Sequence, residues 1–443
     1  MRCLALAEHL VDIGWRTSFA CRASTFQAVP ELQKSSHRLI MLDIDEKDEA
    51  AFLVENIEDK IDWLIVDHYG RDRSFEAACR VCVSNILVID DLADRPHDCD
   101  ILLDQTLGRS VEDYEARVPA SCLILTGTSY ALLRRQFSSA RTSEELERRG
   151  VLASFGLMDP WNLISRTLDG FDKIDVDVSV SAVLGTTAPH LDSVKNKINR
   201  DVHRHTLHVS PNKIAHLMAT SEVLVGAAGS TVWEACCMGL PTVLIVTAEN
   251  QRGVAAAVAD AGAAQVLGDE EGVNAEEIAR SLNSLLSDRG VLQKMAAKAA
   301  TLCDGRGAAR VAMAMSPERD RNGRPILLRQ ATMGDAEALF FWQTSGGLRR
   351  YFRNPANPEW NQHVGWLKNQ LTRRDSLLNI ILCDDVAVGM LRLDRISCTS
   401  SAFEVSILVG RDHHRSGIAR AALALSRRLV PDARLLAEVQ SDN

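Results

Sequence analysis

The chain has 443 residues, of which 46% are hydrophobic, and its formal net charge is −9. This length is sufficient for two or three domains with buried cores. The acidic balance argues against nucleic acid as the main partner. No apolar run reaches transmembrane length, and the N-terminus lacks the pattern of a signal peptide. Eleven scattered cysteines are typical of reduced thiols, so we expect a cytoplasmic protein with neither nucleic-acid nor membrane partners.

Strand-like apolar runs alternate with amphipathic helical patterns over residues 1–315. Such strands, joined by helices, predict parallel sheets that are covered on both faces. The pattern breaks in a charged stretch at 134–150, so we predict two doubly wound α/β domains, residues 1–140 and 141–315. Two facing domains of this type form a ligand cleft at the carboxyl ends of their strands. The predicted strands include 17–21, 63–67, 86–90, 122–126, 151–155, 178–184, 206–209, 223–225 and 241–246, and another ends at Asp104.

The pattern changes after residue 315. Residues 316–325 are polar and contain glycine and proline, which predicts a linker. Residues 324–443 carry 16 Lys and Arg against 12 Asp and Glu, a mildly basic balance that suits an anionic cofactor. Residues 326–443 are therefore predicted to form an α+β module. Its predicted elements are strand 326–329, helix 335–341, antiparallel strands 378–382, 386–393 and 403–409, and a helix from Ile418.

One segment of the second domain has the features of an anion-binding site. A short strand leads into Gly226-Ala-Ala-Gly229, and a helix begins at Ser230-Thr231. Backbone N–H groups at the positive end of a helix, with only small side chains nearby, suit a diphosphate. Glu234 lies one turn into the helix, where it could accept hydrogen bonds from a ribose diol. Thr231-x-x-Glu234 is also a capping box, and the two roles can coexist.

Polar residues follow the strands of the first domain. Asp67-His-Tyr-Gly70 and Asp90-Asp91 each come directly after a strand, at the end where ligands gather in such sheets. A carboxylate there can orient a sugar hydroxyl or assist proton transfer. The alternative is that Asp67 and Asp90 cap the segments that follow them.

Two groups of residues have spacings that resemble metal sites. Cys79-x-x-Cys82 has the spacing of zinc ligands, but it lacks a second pair nearby and its context is helical. In the strand around His203, His205 and His208, the first two share a face and the third points to the other. We therefore expect no metal ion.

The last strand of the C-terminal module leads into a second candidate anion site. Residues 403–409 are followed by Arg411-Asp-His-His-Arg-Ser-Gly-Ile-Ala419. Gly417 and Ala419 leave successive backbone amides free to hold a pyrophosphate at a helix start, and Arg415 adds positive charge. An ordinary glycine turn is the alternative. Glu404 could be a general base toward an amine, or a solvated strand residue.

Seven short segments of the first 310 or so residues occur in the order found in one enzyme family. They are Met1-Arg-Cys-Leu-Ala-Leu-Ala7, Val66-Asp-His-Tyr69, Ile89-Asp-Asp-Leu-Ala-Asp-Arg95, Cys99-Asp-Ile-Leu-Leu-Asp-Gln105, Tyr130-Ala-Leu-Leu-Arg134, Ser154-Phe-Gly-Leu-Met-Asp-Pro160 and the stretch from Ser221 to Gln251. This set resembles the PseG-type hydrolases of pseudaminic acid biosynthesis. The resemblance implies a GT-B-like fold and release of UDP from UDP-2,4-diacetamido-2,4,6-trideoxy-β-L-altropyranose. The UDP- and substrate-binding residues that it implies are Gly229, Ser230, Thr231, Glu234, Asn250, Gln251, Asp67 and Tyr69.

The C-terminal module is similar to a second family, the GNAT-type N-acetyltransferases. The matching segments are Leu328-Arg-Gln-Ala331, His363-Val-Gly-Trp366, Val388-Gly389 and the stretch from Glu404 to Ala419. The resemblance implies acetyl-CoA as the acetyl donor and Glu404 as the candidate base. The acetyl-CoA-binding residues that it implies are Val409, Arg415, Ser416, Gly417, Ile418 and Ala419.

The sequence departs from both families, chiefly at its ends. The hydrolases open with Gly-x-Gly-His-x-x-Arg-Cys, whose histidine is their proposed general base, and only Arg2-Cys3 of that motif is present. We therefore expect the hydrolase base to lie before Met1. The closing elements of the acetyltransferase are also expected to be missing. His414 stands where the acetyl-CoA loop usually has Arg or Gln, and Arg415 where it often has Gly.

These observations lead to three hypotheses about function. The first is a bifunctional enzyme of nonulosonic acid synthesis that hydrolyses the UDP-sugar and N-acetylates an amino-sugar nucleotide with acetyl-CoA. The second is an inverting UDP-sugar glycosyltransferase of GT-B type, which the two facing domains suit equally well. The third is a non-catalytic nucleotide-sugar binder. The sugar stereochemistry, the amine that is acetylated and the oligomeric state stay open.

Overall fold

The computed structural model describes residues 1–57, 60–141, 147–174, 178–200, 204–397 and 401–438. The chain divides into two compact units, the first of residues 1–137 and 146–305 and the second of residues 138–145 and 306–443. Within the first unit we call residues 1–137 the first lobe and residues 147–305 the second lobe.

The first unit is built from alternating strands and helices. Its strands are β1 (Ser18–Cys21), β2 (Arg38–Met41), β3 (Ile61–Val66), β4 (Val83–Ile89), β5 (Ile101–Asp104), β6 (Leu123–Thr126), β7 (Val151–Ser154), β8 (Val180–Leu184), β9 (His205–Val209), β10 (Val223–Ala227), β11 (Thr242–Val246) and β12 (Ala264–Asp269). The helices within residues 1–305 are α1 (Arg2–Asp12), α2 (Ala23–Ala28), α3 (Pro30–Lys34), α4 (Glu49–Asn56), α5 (Arg73–Cys79), α6 (Arg135–Arg141), α7 (Leu163–Phe171), α8 (Leu191–Ile198), α9 (Ile214–Thr220), α10 (Thr231–Cys237), α11 (Arg252–Asp260), α12 (Ala275–Ser287) and α13 (Arg289–Leu302).

The second lobe contains a six-stranded sheet in the order β12-β11-β10-β7-β8-β9, in which every neighbouring pair is parallel. This is the doubly wound order, whose direction of winding reverses between β7 and β10. Strands β7 and β11 are buried along their whole length because helices cover both faces of the sheet. The carboxyl ends of β7 and β10 therefore border the crevice in which ligands bind in such sheets.

A glycine allows β7 and β10 to lie close together. Gly226 of β10 is in register with Ser154 of β7. A Cβ atom on Gly226 would lie 2.5 Å from the Ser154 carbonyl oxygen, well inside van der Waals contact. Only glycine fits at this position without a shift of the backbone.

The first lobe contains two parallel sheets. Strands β3-β4-β5-β6 form a four-stranded sheet in sequence order, whereas β1 and β2 pair with each other. Within the described ranges, no strand joins the two sheets by hydrogen bonds. Strand β5 is buried along its whole length, so this sheet too is covered on both faces.

The second unit is an α+β structure around one mixed sheet. The sheet has the order β13-β14-β15-β16-β17-β18, antiparallel except for the last pair. Its strands are β13 (Glu318–Arg319), β14 (Pro325–Gln330), β15 (Ser376–Cys383), β16 (Val386–Arg395), β17 (Ala402–Val409) and β18 (Arg434–Leu436). Its helices are α14 (Gly307–Met315), α15 (Ala336–Thr344), α16 (Trp360–Thr372) and α17 (Ile418–Leu429).

The predicted fold class is confirmed: two α/β lobes with parallel sheets in a GT-B-like fold precede an α+β domain, and the second-lobe sheet has the doubly wound order. The residues around the predicted 316–325 linker take part in the second unit. Ala309 and Met313 of α14 pack in its core, and β13 pairs with β14. The predicted limits of the three domains stay a prediction. No helix among the described residues combines the length and apolar character needed to cross a bilayer.

Candidate functional site

The segment with the anion-site pattern lies at the reversal point of the second-lobe sheet. Strand β10 ends at Ala227, and α10 begins at Thr231 with Ser230 as its N-cap residue. Because the helix begins there, Glu234 is one position beyond the place that a capping-box carboxylate occupies, and Ser230 makes no side-chain cap bond. The capping box formed by Thr231 and Glu234 is therefore not present.

The turn after β11 brings Asn250 and Gln251 to the same place. The Gln251 side-chain oxygen accepts hydrogen bonds from the backbone N–H (3.0 Å) and hydroxyl (3.1 Å) of Thr247. This fixes the amide so that its Nε2 atom would be 3.8 Å from a Cβ placed on Gly229. Gly229 and Gln251, predicted from separate parts of the motif, are thus neighbours in space.

Glu234 is largely buried, with 19% of its side chain exposed, and its nearest cation is Arg134 of the first lobe. The Arg134 Nη2 and Glu234 Oε1 atoms are 3.8 Å apart, so the attraction is not reinforced by a close hydrogen bond. Burial raises the pKa of Glu234 to about 7, although the charge of Arg134 acts in the opposite direction. This carboxyl group therefore changes charge near neutral pH.

A row of polar side chains crosses from the first lobe to the second. We call Arg2, Asp67, Asp91, Tyr69 and Asn250 the polar row. Arg2 donates through Nε and Nη2 to Asp67 (2.6 to 3.1 Å) and through Nη1 to Asp91 (3.2 Å). The Tyr69 hydroxyl donates to Asp91 (3.3 Å), and the Asn250 amide donates to the Tyr69 oxygen (3.0 Å). The polar row therefore joins the predicted sugar side of the cleft to the turn that carries Gln251.

The chemistry of Asp67 follows from its partners. Burial raises the pKa of Asp67, but the hydrogen bonds and charge of Arg2 outweigh burial, so the pKa ends below its usual value. The Cys3 thiol also donates to Asp67, at 3.1 Å. Asp67 is thus an ionised, fully engaged carboxylate that orients Arg2, which disfavours a role in proton transfer.

Asp90 supports the loop that follows it. It accepts hydrogen bonds from the Ala93 backbone N–H (2.8 Å) and the Tyr114 hydroxyl (3.0 Å), and it pairs with Arg95 (2.9 Å). Its exposed fraction is 1%, so it is not accessible to a ligand. Of the two interpretations of Asp90, the capping one is correct.

Neither metal-like spacing forms a metal site among the described residues. The Cys82 thiol donates to the Cys79 carbonyl (3.3 Å), and His205 is buried on β9. His203 lies outside the described residues. Over the described ranges, no group of three His, Cys, Asp or Glu side chains is arranged to hold an ion.

In the second unit, the loop after β17 leads into the start of α17 as the sequence predicts. Gly417 is the N-cap residue of α17 and has a φ of +93°, and Arg415 also has a positive φ, of +62°. The Ser416 hydroxyl donates to the His413 carbonyl (2.6 Å), and His414 Nε2 is 3.0 Å from the Val409 carbonyl. The predicted residues lie along one strand-loop-helix segment: Val409 ends β17, Arg415, Ser416 and Gly417 lie in the loop, and Ile418 and Ala419 begin α17.

This turn fits a pyrophosphate. The first N–H groups of a helix lack intrahelical acceptors, and here they belong to a helix that begins directly after a glycine. A Cβ atom on Gly417 would lie 3.1 Å from the Arg321 side chain and 3.3 Å from its backbone nitrogen. The glycine is therefore required both for its left-handed backbone and for the close approach of Arg321.

The predicted base Glu404 lies on β17 and is paired with a cation. The Arg353 Nη2 atom donates to Glu404 (2.7 Å) and also to Glu438 (2.7 Å). The Glu404 side chain is 33% exposed, so it is half-buried beside β16 and β18. No pattern in the sequence predicts Arg353 or Glu438 at this place.

Comparison with known proteins finds a domain match in each part of the chain. Residues 174–311 match the glycosyltransferase family 28 C-terminal domain, and residues 326–443 match the acetyltransferase (GNAT) domain. The spore coat polysaccharide biosynthesis protein SpsG of Bacillus subtilis is 29% identical over 198 residues, which are 44% of this chain and 58% of SpsG. This chain therefore spans little more than half the length of that relative.

A second relative has a defined activity. The UDP-2,4-diacetamido-2,4,6-trideoxy-β-L-altropyranose hydrolase of Campylobacter jejuni is 27% identical over 266 residues, 59% of this chain and 90% of the hydrolase. The crystal structure of Acinetobacter baumannii MurG superposes with a TM-score of 0.51 at 14% identity, covering 71% of this chain and 94% of MurG, which shows a shared GT-B-like fold. The chain thus joins a region homologous to PseG-type hydrolases, with its glycosyltransferase family 28 C-terminal domain, to a GNAT acetyltransferase domain.

Proposed function

We propose that this protein is a bifunctional cytoplasmic enzyme of pseudaminic (nonulosonic) acid biosynthesis. The first unit hydrolyses UDP-2,4-diacetamido-2,4,6-trideoxy-β-L-altropyranose and releases UDP. The second unit transfers an acetyl group from acetyl-CoA to the amine of an amino-sugar nucleotide. Homology to the hydrolase and the GNAT domain support the two halves separately.

The observation that carries the hydrolase proposal is the polar row, which crosses the cleft beside the reversal point of the second-lobe sheet. In the proposal, Gly229, Ser230, Thr231 and Glu234 hold the UDP moiety. Asn250 and Gln251 contact the substrate where the diphosphate meets the sugar, and Tyr69 and the Asp67–Arg2 pair line the sugar side.

Hydrolysis requires three events at the anomeric carbon. Water attacks this carbon, the bond to the diphosphate oxygen breaks, and the proton of the water passes to a base. UDP then leaves with the negative charge that develops on its oxygen. Backbone N–H groups at the start of α10, aimed at that charge, stabilise it more in the transition state than in the ground state.

The acetyltransferase proposal rests on the second unit. Glu404 and Val409 lie on the same strand, five residues apart, which is about 17 Å along β17. In acetyl-CoA the extended pantetheine arm separates the diphosphate from the thioester, so a diphosphate at the Gly417 turn is compatible with a reacting acetyl group near Glu404. Glu404 would take a proton from the acceptor ammonium, directly or through water. Two consecutive activities on one chain would raise the effective concentration of the intermediate.

Release of UDP tests the hydrolase half. The chain, carrying the Gly-x-Gly-His segment of the hydrolase motif at its N-terminus, is incubated with the UDP-sugar alone, and UDP is measured against time beside an Asn250→Ala variant. We expect turnover that the variant reduces strongly. If this completed protein binds UDP but releases none from the sugar nucleotide under any condition, the hydrolase proposal is wrong and the protein is a nucleotide-sugar binder.

A second candidate reaction is glycosyl transfer from a UDP-sugar, which the match to the glycosyltransferase family 28 domain favours. The two reactions differ in their need for an acceptor. Release of UDP in water alone supports the hydrolase, whereas release only after an acceptor sugar is added supports the transferase. Release of free CoA with a UDP-4-amino sugar tests the acetyltransferase half in the same preparation.

A further inference from the structure

The turn between β13 and β14 is rigid and lies outside the residues that match the GNAT domain. Its carboxylate, Asp320, is 8% exposed and accepts hydrogen bonds from the backbone N–H groups of Asn322 (2.8 Å) and Arg324 (2.9 Å). The Arg324 side chain also donates to Asp320, at 2.7 and 2.9 Å. These bonds fix the tip of the turn, where Arg321 lies.

Arg321 is held against the loop that precedes α17. Its backbone N–H donates to the Ser416 carbonyl (2.8 Å), and its Nη1 atom donates to the Arg415 carbonyl (3.1 Å). The stem of the side chain lies against Gly417, where a Cβ atom would be 3.1 Å from the Arg321 Cγ atom. The Arg321 side chain therefore runs past the residue from which α17 begins, and its guanidinium lies at the Arg415 carbonyl, two residues before Gly417.

Positive charge predominates among the exposed side chains of the β13–β14 turn and the loop before α17. Arg321 is exposed and, in the part of the chain that the structure describes, forms no ion pair with a carboxylate; the same holds for Arg415. Asp412 is the acidic residue of the loop itself. A guanidinium carries five N–H donors, and Arg321 uses one on the Arg415 carbonyl. The others can donate to the oxygens of a phosphate, which arginine binds in bidentate fashion.

We propose that Arg321 is part of the acetyl-CoA site and that its guanidinium binds phosphate oxygens of the CoA moiety beside the start of α17. This inference rests on the proposed acetyltransferase function. The backbone N–H of Arg321 holds the turn against Ser416 whatever the side chain is. The turn therefore positions Arg321, and the guanidinium of Arg321 contacts the ligand. The segment that the sequence suggested was a linker thus contributes a binding residue.

Direct binding measurements test the proposal without an acetylation assay. CoA is titrated calorimetrically into the full chain and into Arg321→Ala, Arg321→Gln and Arg321→Lys. We expect the Ala and Gln variants to bind about tenfold more weakly, because a charge-assisted hydrogen bond is lost. Lysine should restore part of the affinity, because it keeps the charge but not the fork of donors. The matched control is Asn322→Ala, at the adjacent exposed position of the same turn, which should bind CoA as the original chain does.

Two further measurements make the result specific. The Kd of the original chain should rise more steeply with salt concentration than that of Arg321→Ala, because one fewer charge contact is screened in the variant. Titration with dephospho-CoA, which lacks the 3′-phosphate, identifies the phosphate that Arg321 contacts. If Arg321→Ala also binds dephospho-CoA more weakly than the original chain does, the contact is to the diphosphate. If the two proteins bind dephospho-CoA equally well, the contact is to the 3′-phosphate.

The two proposals fail in different ways. If the original chain binds CoA and all Arg321 variants bind it equally well with the same salt dependence, the inference about Arg321 is wrong and the acetyltransferase proposal is unaffected. If the original chain does not bind CoA, both are wrong. The Gln variant, with a side chain of comparable polarity, guards against an Ala variant that fails to fold, and its thermal unfolding is measured beside that of the original chain.

Discussion

Replacement of Glu234 by Gln removes a carboxyl group that changes charge near neutral pH. Burial raises the pKa of Glu234 to about 7, and the closest cation is the Arg134 guanidinium at 3.8 Å. If Glu234 accepts hydrogen bonds from the ribose of UDP, the ionised form is the better acceptor, since charge-assisted hydrogen bonds are about twice as strong as neutral ones. The affinity for UDP should therefore increase as the pH rises through 7.

The size of the effect follows from the pKa. With a pKa of about 7, about one tenth of the Glu234 side chains are ionised at pH 6 and about nine tenths at pH 8. The Kd for UDP should thus fall by up to about tenfold between these pH values. Glu234→Gln keeps the shape of the side chain without the charge, so it should bind UDP more weakly at pH 8, by about 1 kcal/mol.

Isothermal titration of UDP at pH 6, 7 and 8 measures this dependence. The diphosphate of UDP also changes its protonation with pH, and this affects binding to the original chain and to the variant equally. The ratio of the Kd of Glu234→Gln to the Kd of the original chain therefore reports the effect of Glu234 alone. We expect the ratio of variant to original to be near one at pH 6 and to grow toward pH 8. A ratio that is constant over this range would refute the assignment of the ribose contact to Glu234.

The same pKa has a consequence for stability, with the opposite pH direction. A carboxyl group whose pKa is higher in the folded state than in the unfolded state stabilises the fold only while it is protonated. Its contribution is present below about pH 4.5 and is lost as the pH rises to about 7, which corresponds to about 3 kcal/mol. Chemical denaturation of the original chain should show this loss, and Glu234→Gln should not.

Three further predictions concern single side chains. Tyr69→Phe removes the hydroxyl between Asp91 and Asn250, so the KM for the UDP-sugar should rise about fivefold while UDP alone binds normally. An equal loss of affinity for UDP would contradict the placement of Tyr69 on the sugar side of the cleft. Gly226→Ala should lower the free energy of unfolding by about 3 kcal/mol, whereas Gly253→Ala, where a Cβ meets no atom within 4 Å, should not; equal melting curves would contradict the close approach. Arg353→Ala removes the cation that is hydrogen-bonded to Glu404, so the rate of acetyl transfer should rise several-fold. The double variant Arg353→Ala with Glu404→Gln should not show this increase.

The parts of the fold that the sequence predicts are those set by local pattern. The strands that carry the two candidate sites, β10 and β17, are short apolar runs that end at glycine-containing turns, so their positions are encoded within about ten residues. Strand β2 was missed, because its four residues are partly exposed and show no alternation. The polar composition of residues 316–325 predicts a linker, and the same composition also suits the turn between β13 and β14.

The contacts that define the sites were predicted less well, because they join residues far apart in the chain. The 3.8 Å approach of Arg134 to Glu234 spans 100 positions, and the Asn250–Tyr69 hydrogen bond spans 181. No local pattern encodes such distances. The resemblance to the hydrolases supplied Tyr69 and Asn250 individually, but not that they bond to each other.

The contact between Gly226 and Ser154 limits how the substrate choice of this protein can be altered. At the floor of the crevice the backbones of Gly226 and Ser154 touch, so Gly226 cannot be enlarged to admit a different ligand. The opposite wall is a side chain, Tyr69, which is 51% exposed and forms hydrogen bonds with Asp91 and Asn250. Redesign for another sugar should therefore begin with variation of the Tyr69 loop, while the floor is kept as an invariant scaffold.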